Sequence, residues 1–158
     1  MATNTYKDAV ISICTTPQNS DLDKAGFEAL TYVQVKKVGN AGDWPADENV
    51  LSYNTLDRKV SSKGKGLINA GSPVVECART YDDPGQIAMR AAGDTALEYA
   101  FKLELNDSPN PGTVTNTVIY NRGLVMKTKI TGGGGVEDFV VEQYPLELVQ
   151  EAVIVDPA

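Results

Sequence analysis

Residues 81–93 read YDDPGQIAMRAAG, the one stretch of this chain with a complete helix signature. Asp83 is placed to cap the first turn, Pro84 stands at the first helical position where its missing N–H costs nothing, and Gln86 follows three residues after the cap, the spacing of a capping box. Ile87, Ala88 and Ala91 form a narrow stripe of small apolar side chains, and Gly93 is suited to close the C-terminus. This predicts a helix over about 83–92. Strand-like sequence lies on both sides of it. The expected fold is therefore mainly β: a sandwich or barrel of roughly seven or eight strands with one flanking helix.

Working outward, 98–105 gives the cleanest alternation, with Tyr99, Phe101, Leu103 and Leu105 on one face and Glu98, Lys102 and Glu104 on the other. Residues 9–14, 31–38, 72–80, 113–120 and 124–130 also read as strands, and 106–112 (NDSPNPG) reads as a turn. A segment at 24–30 suits one helical turn. The long apolar stretch 136–149 is interrupted by Pro145, which implies an edge or a bulge. Gly132 to Gly135 is a four-glycine run; no Lys-Ser/Thr follows it, so it reads as a hairpin tip and not a phosphate loop. The longest irregular stretch runs from Gly39 to Gly71. It holds Trp44, Pro45 and a basic cluster of Arg58, Lys59, Lys63 and Lys65, with a short strand expected at 50–53.

At 158 residues and 42% apolar content, the chain suits one domain with a real core. It contains no apolar run long enough to span a membrane as a helix, and the N-terminus lacks a signal-peptide pattern. Cys14 and Cys77 lie in strand patterns and read as small buried hydrophobes in a reducing compartment. The net charge of −7 argues against tight nucleic-acid binding. The charge is also uneven: nothing after Lys129 is basic, while Glu137, Asp138, Glu142, Glu147, Glu151 and Asp156 follow it. In a self-associating protein such a division allows head-to-tail contact.

Little in the chain suggests catalysis. The absence of histidine removes Ser-His-Asp and Cys-His activation and imidazole zinc sites. The acidic groups at 21–23, 43–48 and 82–83 lack EF-hand spacing, and Asp82 and Asp83 suit the positive end of a helix. A carboxylate hydrolase using Glu98 with Glu104, or Glu137 with Glu142, is the best surviving enzyme reading, and nothing in the spacing demands it. No metal or cofactor is expected, and the expected class is non-enzymatic.

Three segments taken in order, TPQNSDLDKAGFEALTYVQVKKVGNAG (16–42), LDRKVSSKGKG (56–66) and ECARTYDDPGQIAMRAA (76–92), resemble the tail tube proteins of long, flexible-tailed bacteriophages. The resemblance covers about 16–149. It implies one tail-tube domain over 1–158, a β-sandwich with a flanking helix, and subunits joining in hexameric rings that stack into a hollow conduit for DNA ejection. It further implies a loop at 43–71 reaching to the next ring, with an N-terminal arm at 1–7 and a C-terminal arm at 153–158 assisting. The implied partners are further copies of the chain, other tail proteins such as ruler, terminator and distal tail proteins, and DNA in passage, with no membrane. The implied location is the virion, after assembly in the host bacterial cytoplasm. Within that frame Arg58, Lys59, Lys63 and Lys65 are candidates for contact between rings, and the loop is expected to gain order on stacking. Glu98, Glu104, Glu137, Asp138 and Glu142 are candidates to face the bore, where carboxylates would repel phosphate. Related readings are a secretion-system tube protein and a carbohydrate-active or carbohydrate-binding β-sandwich.

Overall fold

The computed structural model describes residues 3–44 and 46–158; Met1 and Ala2 of the expected N-terminal arm, and Pro45, lie outside the described residues. In chain order the elements are β1 (Val10–Cys14), α1 (Lys24–Glu28), β2 (Tyr32–Val35), β3 (Val38–Asn40), β4 (Asp47–Tyr53), β5 (Ser62–Asn69), β6 (Val74–Ala78), α2 (Pro84–Gly93), β7 (Tyr99–Glu104), β8 (Val118–Val125), β9 (Lys129–Thr131), β10 (Val141–Leu148) and β11 (Val153–Val155). The mainly β fold with a flanking helix is as expected.

The large sheet is antiparallel and ordered β2-β1-β7-β8-β10-β6-β3. Its first and last members, β2 and β3, are separated in the chain only by Lys36 and Lys37. Residues so close in sequence cannot stand at opposite ends of a flat sheet. The sheet therefore curls until its ends meet at this corner, where Lys37 takes a left-handed conformation with φ 61°. The single strand expected over 31–38 is broken there.

Helix α2 seals the corner. Asp83 accepts the Gln86 N–H at 3.0 Å, as a cap should, and also accepts the backbone N–H of Lys36 at 3.2 Å. Gln86 does not return a bond to the cap, so the reciprocal half of the expected capping box is absent. Its side chain is fully buried and accepts the Thr80 N–H (2.8 Å) while donating to the carbonyls of Lys36 and Ala78 (3.0 Å each). The face of α2 that packs inward is Gly85, Gln86, Met89 and Ala92, whereas Ile87 is 47% exposed. Of the stripe read from Ile87, Ala88 and Ala91, only Ala88 packs partly against the core while Ile87 and Ala91 face outward, because the buried side is chosen by backbone approach: a Cβ on Gly85 would overlap Gln34 O and Val35 Cα of β2.

The main core gathers Ile11, Ile13, Val75, Phe101, Leu103, Val125, Tyr144 and Leu146 inside the curled sheet. Tyr99, Phe101 and Leu103 of β7 all point there, as their alternation predicts. A second cluster lies on the sheet's other side, where Phe27 of α1 stacks on Tyr120 with ring centroids 5.4 Å apart. Both cysteines are free and buried. Burial and the charge of Glu142 push the Cys77 thiol up to about 12.

The C-terminal half departs from the sequence reading in two places, β8 and the terminal arm. One strand, β8, replaces the expected pair, running straight through Asn121, Arg122 and Gly123. It can do so because Asn121 and Arg122, though polar, are buried with partners. The arm at 153–158 is not free: β11 pairs with Val118, Ile119 and Tyr120 of β8. As expected, Pro145 lies in the ladder at a bulge, since Leu146 faces Val125 and Gln143 faces Lys129, leaving Tyr144 and Pro145 opposite 126–128. The glycine run is the tip between β9 and β10, with Gly132, Gly133 and Gly134 all at positive φ.

Candidate assembly surface

The stretch expected as an irregular loop at 43–71 is built chiefly of a long β-hairpin, a correction with a simple cause. β4 and β5 pair antiparallel, Val50 opposite Lys65, Leu51 opposite Gly64, Ser52 opposite Lys63 and Tyr53 opposite Ser62. Alternation divides the ribbon into two faces. One carries Lys63, Lys65 and Val50. The other carries Leu51 and Tyr53 against Gly64, whose missing side chain leaves open space beside them. Every residue of β4 is exposed. Cross-strand hydrogen bonding makes the ribbon, and nothing among the described residues buries β4.

That exposure is costly. Tyr53 is 72% exposed, Leu67 83%, and Leu56 at the tip fully so. Val50, Leu51 and Val60 are also in water. An isolated two-stranded ribbon is marginal at best, and apolar residues concentrated on one are the mark of a surface that meets a partner.

The four basic candidates all lie on this hairpin. Arg58 and Lys59 are in the tip, where Arg58 donates to Ser62 Oγ at 3.3 Å. Lys63 and Lys65 project from β5, with Glu48 only loosely paired to Lys65 at 3.9 Å. Among the described residues no carboxylate pairs with Arg58, Lys59 or Lys63. From 47 to 69 the ribbon holds these four cations against three acids, Asp47 and Glu48 at its base and Asp57 in its tip, so the positive charge lies toward the tip. The apolar half of the surface was not legible as such in the sequence, although Val50 to Tyr53 and the Lys-Gly-Lys-Gly alternation carried the signal for two strands.

The five acidic candidates do not form one surface. Glu142 is excluded from any bore: it is 1% exposed and held between Arg79 (2.6 Å) and Arg90 (3.0 Å), with the Tyr144 hydroxyl donating to it. Burial alone would raise its carboxyl, but the hydrogen bonds from Tyr144 and Arg90 and the charges of Arg90 and Arg79 outweigh it and hold the group below the ordinary carboxylate range. Glu98 is ion-paired to the buried Arg122, which also meets Asp21 at 2.6 Å, Gln150 at 3.2 Å and the Gln18 carbonyl at 3.2 Å. Glu104 accepts from Asn116 at 3.2 Å and lies 3.8 Å from Lys102. Only Glu137 and Asp138 stand together in the open, on the turn after the glycine run, where Asp138 accepts the Gly135 N–H at 2.9 Å. Val136 and Phe139 flank them, fully and 82% exposed.

The fold has counterparts among solved structures. A chain of the anti-feeding prophage baseplate, determined with six-fold symmetry, superposes with a TM-score of 0.65 at 10% identity, over 99% of this chain and 98% of that one. A chain of the same prophage's tube-terminating cap gives a TM-score of 0.65 at 8% identity, over 99% and 93%. At such identities the likeness establishes a shared fold. No protein-family model and no curated protein matches the sequence.

Proposed function

We propose that this chain is a structural, non-enzymatic subunit of a phage tail tube, whose copies close into hexameric rings and stack into a hollow conduit for DNA. The β4–β5 hairpin carries this reading. It exposes more apolar area than a solitary subunit gains from, its outer part concentrates four cations on a chain of net charge −7, and it leaves the body at one end. A heterologous contact of this kind, repeated, makes an open filament. The shared fold with prophage baseplate and cap chains supports a place in a tail-like particle, and the order of the three sequence segments favours the long-tailed phages.

The shared fold with a baseplate chain and a tube-terminating cap chain favours a second reading, a ring at the end of a tube that associates laterally and does not repeat. Negative-stain microscopy and sedimentation of the concentrated protein separate the two. Tubes of stacked rings support the tube subunit, single rings the terminal component, and monomers at the highest soluble concentration defeat both.

A further inference from the structure

Loop 132–140 lies at the far end of the subunit from the hairpin. In the β6–β10 ladder Val141 faces Ala78 and Pro145 faces Val74, and the Leu148 N–H bonds to the Gly71 carbonyl. The hairpin therefore joins the body beside Leu148, and the glycine loop joins it beside Ala78. The eight residues of β10 separate the two by roughly 25 Å. Between Thr131 and Val141 the only charges are Glu137 and Asp138, set among the exposed Val136, Phe139 and Val140. Nearby Arg79 and Lys127 are already matched, by Glu142 and Asp94, while the exposed Lys129 of β9 pairs with no carboxylate among the described residues. The 132–140 loop itself is thus apolar and anionic, and the outer part of the hairpin apolar and cationic.

We infer that the 132–140 loop is the receiving surface for the β4–β5 hairpin of a second copy, with Glu137 and Asp138 opposite Lys63 and the Arg58–Lys59 tip, and Phe139 against Val50 on the same face as Lys63. The inference rests on the stacking reading above and deepens it by naming the partner surface. It moves Glu137 and Asp138 from the bore to the contact between successive rings. Opposite ends of identical subunits are what a head-to-tail stack brings together, and matched charges fix which end meets which. The glycines give the loop backbone conformations that other residues resist, letting it adapt to the incoming ribbon.

A charge swap tests it. In R58E/K59E/K63E, polymer formed at a fixed protein concentration should fall by about tenfold or more, and adding E137K/D138K to the same chain should restore it to within about twofold. Both segments are exposed, so the melting temperature of each variant checks that folding is intact. As a second measurement, K63C and E137C chains are mixed and oxidised; intermolecular disulfide dimers should form in the mixture and not in either alone. Polymers that lose assembly on hairpin reversal, are not rescued by the swap and give no mixed disulfide would overturn the loop assignment while leaving the tube reading intact. A wild-type chain that never polymerises overturns both.

Discussion

Gln86 donates its side-chain amide to the main-chain carbonyl of Lys36, 3.0 Å away and fifty positions earlier in the chain. That bond stands where the strand ladder fails. At the β2–β3 corner the backbone turns too sharply for a neighbouring strand to satisfy it, and the helix end supplies the missing partners through Gln86 and Asp83. The curled sheet is completed by two side chains of a helix.

Replacing Gln86 with Leu would leave the Thr80 N–H and the Lys36 and Ala78 carbonyls without their side-chain partner in a buried place. The expected loss is about 2–4 kcal/mol of folding stability. Gln86→Glu should cost as much, since a carboxylate cannot donate to either carbonyl. Urea unfolding of both variants checks this, and a loss of under about 0.5 kcal/mol would show the corner to be satisfied otherwise.

Gly85 gives a prediction of unusual sign. Within a helix, Gly→Ala ordinarily gains about 0.5–1 kcal/mol. Here the added methyl would overlap the backbone of Gln34 and Val35, so Gly85→Ala should destabilise by about 2–3 kcal/mol. A variant melting at or above the wild-type temperature would mean that α2 does not lie so close to β2.

Glu142 is the buried carboxylate through which the subunit is expected to lose stability in acid. Its folded-state carboxyl is depressed from an ordinary 4.5, so its contribution is fully present above that value and lost as pH falls through the lower, folded one. Wild-type stability should therefore decline below about pH 4.5. Glu142→Gln should remove about 3 kcal/mol at pH 7, by leaving Arg79 and Arg90 uncompensated, and should flatten that acid decline. Denaturant midpoints measured across pH for both proteins decide it; parallel curves would assign the acid transition to other groups.

The hairpin should separate folding from assembly. Leu51→Asp with Tyr53→Asp alters side chains that touch water, so subunit stability should change by no more than about 0.5 kcal/mol. Polymer formation should be lost. Tubes of ordinary yield from this variant would make the apolar face an idle surface.

The contiguous sequence determined whatever depends on near neighbours. The helix at Pro84–Gly93, capped by Asp83, the inward face of β7 and the glycine turn before β10 were all legible, because proline geometry, capping and strand alternation act over a few residues. The site was half legible: its cations could be read off, but not the ribbon that carries them or the apolar face beside them.

Only the tertiary structure decided which side of α2 turns inward, why β8 runs unbroken through Arg122, where β11 docks, and that Glu142 is a buried partner of two arginines. Each of these is settled by a group brought in from a distant part of the chain. A carboxylate has the same local sequence whether it meets water or a guanidinium, and the free energies of those two surroundings differ by more than any local propensity.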